Sequence, residues 1–265
     1  MCLKRCLYCP VMPEPGIVIR ECETHDDYRQ CIALEREVWG DEDIDIMPVR
    51  MYMISRNCGG PTIGAFDEHE RLVGVGHLAP ALIGKHIAFH SHLLSVKEEF
   101  RDREIGYRIK LAQRERATAA GVKMMFWTFD PLQSRNAHFN INKLGVVIRR
   151  YGVNYYGQNV STVFDPDIPS DRVIVEWWLA SAHVENTLAG IRPGVDDVRA
   201  MVIIPDDIGA IRARSTEEHL RWRLKNREEF QDALGRGLIA RGFERNRETA
   251  QGSYLFGSDE DQFRF

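Results

Sequence analysis

A mixed α/β fold is predicted by three features of this sequence. Short apolar runs bounded by turn formers, such as 62–66 and 72–78 on either side of Asp67-Glu-His-Glu70, read as an antiparallel hairpin. The hydrophobic period then lengthens over 106–121, where apolar residues recur at helical spacing. An aromatic run over 123–129 follows at once, the order expected of a strand reached through a crossover helix.

The remaining elements are argued in chain order. Residues 17–20 read as a short strand. Thr24 is placed to open a helix, and Asp26 and Asp27 sit in its first turn, where the helix dipole favours acids. Tyr28, Ile32, Leu34, Val38 and Trp39 supply its apolar stripe, and Gly40 stops it. A second helix is expected over 48–56, a turn at Gly59-Gly60-Pro61 and a strand over 87–96. The long helix should turn Ile105, Ile109, Leu111, Ala112 and Ala119 toward the core. A shorter helix over 134–144 ends at Gly145, and strands are expected over 146–151, 160–164 and 172–179. Trp177-Trp178 reads as core or subdomain interface. Past Gly190 the organisation starts again, with a strand over 198–204, a charged amphipathic helix over 216–234 and strands over 238–243 and 253–256. The expected division is a leader over 1–16, a main domain over 17–189 and a C-terminal α/β subdomain over 190–265.

Composition narrows the function. The 265 residues are 44% hydrophobic and 28% charged, the balance of a globular protein able to build its own core. The 35 basic and 39 acidic side chains give net −4, which argues against a nucleic-acid partner. No run approaches the roughly 18–20 apolar residues of a membrane span, and the N-terminus does not read as a signal peptide. A cytoplasmic setting with reduced thiols is expected. Cys2, Cys6 and Cys9 have the C-x3-C-x2-C spacing of radical-SAM iron–sulfur proteins. They begin at residue 2, however, and 10–16 reads as a linker, so the spacing lacks the strand that the motif needs. Cys22, Cys31 and Cys58 read as buried or half-buried thiols.

The chemistry is expected near residues 93–108. There an apolar strand ends at Val96, a polar loop follows, and a helix begins near Gly106. A loop feeding a helix N-terminus presents unpaired N–H groups and the positive end of the dipole to an anion. Arg101, Arg103 and Arg108 add guanidinium groups suited to phosphate oxygens, and Gly106 removes a side chain at the point of closest approach.

Arg101-Asp-Arg-Glu-Ile-Gly106 resembles the pyrophosphate loop of GNAT acetyltransferases, written R/Q-x-x-G-x-G/A, with Glu104 at the first glycine. Downstream, Ser134-Arg-Asn-Ala137 and Lys143-Leu-Gly145 resemble the family's N-x-x-A…Y-x-K-L-G-F segment. Ser134, Ile141 and Val146 are departures from it. The opening residues 19–39 also look like the family's first strand and helix, and the resemblance covers roughly 17–165. The string from Trp127 to Asn140 is similar to a little-characterised bacterial branch of predicted acetyltransferases.

The resemblance implies a GNAT-like fold and an N-acyltransferase using acetyl-CoA or another acyl-CoA, with no metal. By similarity, Leu94, Ser95 and Val96 line the pantetheine arm, and an N–H of their strand polarises the thioester. Residues Arg103, Glu104, Ile105, Gly106 and Tyr107 hold the pyrophosphate, helped by Arg101 and Arg108. Asn136, Asn140 and Asn142 crowd one helix against its propensity, so they either contact ligand or cap neighbouring loops, and Asn136 is the ligand candidate. The acceptor would be the amine of a small molecule or amino acid. His92 and His90, two apart on one strand, are candidate bases. Asp130, just past its strand, either orients an ammonium acceptor or forms a turn. Ile141 stands where the family often places a tyrosine acid, which leaves Tyr107, Tyr151, Tyr155, Tyr156 or solvent for that role. The alternative is a degenerate acyl-CoA-binding sensor or scaffold. The C-terminal segment would shape an acceptor pocket, form a homodimer or cover the cleft.

Overall fold

Strand β1, Val18–Glu21, leads into helix α1, His25–Trp39. Thr24 caps it: the hydroxyl accepts from the Asp27 N–H at 3.0 Å, and the Asp27 carboxylate accepts from the Thr24 N–H at 3.0 Å. Gly40 closes the helix in the left-handed region, φ 62°, where a side chain would be strained. These contacts belong to a computed structural model that describes residues 16–40, 46–157, 168–191 and 195–265. The cysteine leader and the strand expected over 160–164 lie outside the described residues.

Helix α2, Val49–Asn57, precedes three antiparallel strands: β2, Thr62–Phe66; β3, Leu72–Ile83; and β4, His86–Val96. The β3–β4 hairpin is longer than its apolar pattern suggests. β2 pairs β3 only as far as His77, so Pro80 lies on a free edge, where its missing N–H costs no ladder bond. Helix α3, Ile105–Ala119, then crosses to β5, Met124–Phe129, which pairs β4 in parallel. Helix α4, Ser134–Ala137, runs on as a π-helical turn, His138–Lys143. β6, Val147–Gly152, and β7, Arg172–Trp178, pair antiparallel.

The rest comprises α5, Ala182–Leu188; β8, Ala200–Pro205; α6, Ile208–Arg214; α7, Thr216–Gly235; β9, Leu238–Asn246; and β10, Gln251–Ser258. α5 and α6 escape a sequence reading because seven residues are too few to establish a period; Ser181 and Asp207 cap them. The ten strands among the described residues form one sheet, ordered β1-β2-β3-β4-β5-β7-β6-β9-β10-β8. The C-terminal strands join it through one register pair, Ile148 opposite Ala240. Trp127, Ile148 and Trp177 pack in the same core as Phe230, Phe243, Tyr254 and Phe256, so the core runs across residue 190. Trp177 is fully buried, and its indole N–H donates to the Leu144 carbonyl at 2.6 Å.

Two burial expectations are corrected. On α3, Ile105 and Ile109 are buried as expected, but Leu111 and Ala112 are half-buried and Ala119 is exposed. Lys110, Gln113 and Ala117 complete the buried stripe instead, since α3 presses two polar residues onto the sheet. Cys58 is exposed where α2 ends, whereas Cys22 and Cys31 are buried. No helix among the described residues is long and apolar enough to cross a membrane.

Candidate active site

β4 and β5 pair at two positions only, Phe89 with Met125 and His90 with Phe126. Beyond them the strands part. β4 stays on β3 as far as Val96, and a bulge at His92 offsets its register between the Leu78–Ser91 and His77–Leu93 pairs. The β5-facing edge of β4 from Ser91 to Val96 is therefore no longer bonded to β5, and it runs toward the loop that precedes α3.

That loop keeps the backbone shape its sequence obscures. Asp102 and Glu104 both have positive φ, 62° and 56°, a conformation that costs a residue other than glycine about 1–2 kcal/mol. Alternating left-handed residues turn successive N–H groups to one side, which makes an anion-binding concavity. Glu104 occupies the N-cap of α3 without capping it; its side chain turns out to Lys143 Nζ at 3.1 Å. Asp102 likewise pairs with Arg135 at 2.7 Å, so α4 and its π turn flank the loop and neutralise both acids. The first turn of α3, with the N–H groups of Ile105 and Gly106, begins on this side.

The other expected binding residues divide. A Cβ on Gly106 would meet Leu94 and Val96 at 3.7 and 3.8 Å, ordinary contact, so the protein itself does not require glycine there. Arg101 is exposed at the rim, with Nε 3.4 Å from the Val96 carbonyl, and Arg103 stacks over Phe100 at 5.1 Å. Arg108 is a correction: its guanidinium donates to the Ile17 carbonyl at 3.0 Å, tying α3 to the start of β1 and away from the loop. Ile105 is buried in the core between α3 and the sheet, and the Ser95 hydroxyl is taken by the Trp39 indole N–H at 2.6 Å. Tyr107 is half-buried with Lys143 over its ring at 5.9 Å, and Asn136 is exposed on α4.

The two predicted histidines do share a face, with ring centroids 6.0 Å apart. The structure adds a third, His77 on β3, whose ring lies 6.4 Å from that of His92. Behind it Tyr52 meets the His77 ring edge-on at 5.2 Å and donates a short hydrogen bond to the buried Glu35 carboxylate. His77 is fully enclosed, with Nδ1 2.8 Å from the Thr62 hydroxyl; burial, then His92 and His90, push it down to about 3. His90 is pushed down to about 4 by burial, His92 and Lys110. The surrounding protein also lowers His92 below the ordinary imidazole value, although its side chain is open to solvent. All three are neutral at pH 7.

A lowered histidine pKa has a definite consequence for stability. Unfolded, the His77 imidazole takes up its proton near 6.5; folded, it does so only near 3. Between those values the unfolded state binds more protons, so stability is lost as the pH falls through this window. The slope approaches about 1.4 kcal/mol per pH unit for one such group. In urea unfolding at pH 7, 6 and 5, His77→Gln should flatten the dependence by about 1 kcal/mol per unit. An unchanged slope would mean that His77 is not held neutral.

Asp130 is not placed as a catalytic group. Its carboxylate accepts from Arg223 Nη1 and Nη2 at 2.6 and 2.9 Å and from the Leu132 N–H at 3.0 Å. Burial pushes it up, but Arg223 outweighs burial and holds it below the usual carboxylate value. Sequence reasoning could not find this partner, which lies 93 residues away on α7. Asn140 accepts from the Trp127 indole and Asn142 donates to the Phe243 carbonyl, so both serve packing. Ile141 is fully buried. Of the tyrosines, Tyr151 is bonded to Asp171, and burial raises it. Tyr156 is exposed, 2.8 Å from the Thr128 hydroxyl on β5.

Two shallow hollows lie elsewhere, one of about 300 Å³ on α7 and one of about 550 Å³ beside the start of α1. Neither contains a residue of the β4–β5 opening. Among the described residues no group of three His, Cys, Asp or Glu side chains is placed to hold a metal.

Together these features define a mixed α/β protein whose sheet splits above a helix N-terminus. No protein-family model matches the chain, and no curated protein matches it in sequence. Among solved structures it is similar to the ribosomal-protein-S18-alanine N-acetyltransferase of Escherichia coli, at 10% identity over 63% of this chain and 96% of that one, TM-score 0.48. It is also similar to a GNAT-family acetyltransferase from Streptococcus pneumoniae, at 16% identity, 60% and 97% coverage and TM-score 0.48. A third is a GNAT-family acetyltransferase from Elizabethkingia anophelis with acetyl-CoA bound, at 15% identity, 62% and 99% coverage and TM-score 0.46. The likeness is one of fold.

Proposed function

We propose that this protein transfers an acyl group from acyl-CoA to a primary amine, with the cofactor lying along the edge of β4 exposed by the split. The observation that carries this reading is the continuity of that edge with the left-handed loop at 102–104 and the open end of α3. A diphosphate at the loop leaves an extended arm to follow β4 from Val96 toward Ser91, about 16 Å of strand. Its own unpaired amide groups can hydrogen-bond the unbonded strand edge, as an added strand would.

In this arrangement the amine attacks the thioester carbon, the C–N bond forms and the C–S bond breaks. His92, neutral and open to solvent on β4, takes the amine proton. His90 is the weaker candidate, since burial, His92 and Lys110 push it down to about 4, far below working pH. Tyr156 on Thr128, or solvent, returns a proton to the leaving thiolate. The acceptor is a small amine or an amino acid.

Thermal shift with CoA and acetyl-CoA tests the site. Ligand at a hundred times its dissociation constant should stabilise the fold by about 2.7 kcal/mol. Arg103→Glu should weaken binding at least tenfold by placing a like charge beside the diphosphate. A complete lack of shift for every CoA species would sink the reading. The buried Ile141, which can supply no acid, favours a second reading: a protein that binds acyl-CoA without turnover. Tight binding with no product across a broad amine panel would select it.

A further inference from the structure

Lys110 is 2% exposed, fully inside the protein, and among the described residues no carboxylate pairs with it. Its Nζ donates to the Ser91 hydroxyl at 2.7 Å and lies 3.5 Å from the centroid of the Trp127 ring. Ser91 and Trp127 each follow the last paired residues of their strands, His90 and Phe126. The amine therefore sits at the apex of the split, on the α3 side. One turn on, Gln113 is also completely buried; the Ser91 hydroxyl reaches its Oε1 at 3.5 Å, and its Nε2 has no partner. Gly76 on β3 leaves room for that amide, since a Cβ there would stand 2.7 Å from Nε2.

A buried lysine with no counter-ion is costly, and a methionine or leucine would fill the same space more favourably. Buried donors without acceptors are likewise rare and call for an explanation. The amine and the amide are donors that lack an anionic acceptor, and both lie where the strand edge from the diphosphate loop ends. Burial lowers the Lys110 amine well below its ordinary value, because it disfavours the charged form, and an anion placed beside the amine would favour that form again.

We propose that the acyl group carried by this protein ends in a carboxylate, received at the apex of the split by Lys110 and Gln113 with Ser91 between them. The proposal rests on the acyl-CoA reading above and names its donor class: the CoA thioester of a short dicarboxylic acid. The carboxylate draws a proton onto Lys110, forms an ion pair with it and accepts from Gln113 Nε2.

Calorimetric titration of the intact protein with CoA, acetyl-CoA, butyryl-CoA, malonyl-CoA and succinyl-CoA tests this without knowing the acceptor. At least one dicarboxylic thioester should bind tenfold or more tighter than acetyl-CoA and butyryl-CoA. Repeated in two buffers of different ionisation enthalpy, its binding should take up about one proton more than theirs. Lys110→Met should abolish both the preference and the proton uptake while keeping affinity for CoA. Gln113→Leu should reduce the preference. Equal or weaker binding of both dicarboxylic thioesters by the unaltered protein would overturn the proposal, as would a preference that survives Lys110→Met. If CoA and acetyl-CoA bind and only the preference is missing, the acyl-CoA reading stands and this inference falls. If no CoA species binds, both fall.

Discussion

Replacing Asp130 with alanine should lower folding stability by about 3–5 kcal/mol, the usual cost of stranding one member of a buried ion pair. Arg223 is 3% exposed, and its two terminal nitrogens both bond the Asp130 carboxylate. Arg172 lies close enough to add its charge to the same region, so the variant leaves two guanidinium groups facing a lost anion. The double variant Asp130→Leu/Arg223→Met should recover most of the loss, because it removes the guanidinium that bonds Asp130 directly and leaves only Arg172, which donates to the Asp171 carbonyl. Denaturant unfolding of the single and double variants measures this directly. CoA affinity should be unchanged in the folded single variant, since the ion pair ties β5 to α7 and does not line the split. A loss below about 1 kcal/mol, as for an exposed pair, would show that the carboxylate is hydrated and return Asp130 to the list of reactive groups.

His92→Gln is expected to lower kcat/KM by about a hundredfold or more while leaving acyl-CoA affinity within a factor of two or three, because general-base catalysis contributes about 10²–10⁴. The surroundings lower the His92 pKa below the ordinary imidazole value of 6.5. The acid limb of the pH–rate profile should therefore fall below that value and vanish in the variant. His90→Gln supplies the control, with the limb retained. A limb that survives His92→Gln, or a loss confined to KM, would remove His92 from the reaction and leave it a packing role beside His77.

Much of the local structure was legible in the chain. Thr24 with Asp27 three residues on marks the start of α1, and Gly40 its end, through contacts that span a single turn. The apolar runs over β2 and the start of β3, set about the turn formers at 67–70, predict the hairpin. The loop at 101–106 reads as an anion site from its sequence, and its backbone takes the left-handed turn even though Glu104 stands where the motif has glycine. The length of β3 and β4 was not legible, since Pro80 is tolerated only because β2 stops opposing β3 at His77. Arg108 read as a phosphate ligand by its charge near the start of α3, yet the carbonyl it bonds belongs to Ile17, 91 residues earlier.

What the sequence by itself determined is the order of the longer elements, the cap and stop of α1, and the loop that feeds α3. Each of these rests on contacts within a few residues, where steric limits and hydrogen-bond reach leave few alternatives. Only the tertiary structure decided which polar side chains are buried and with whom. A lysine on a charged helix reads as a solvated residue, and nothing local distinguishes Lys110 from its neighbours. It is buried because α3 crosses beneath the point where β4 and β5 separate. His77 gains its two histidine neighbours, and Asp130 its arginine, by the same means. Pairing across strands and across 93 residues follows from topology, and the energy that depends on it, desolvation offset by a partner, is absent from any short stretch of chain.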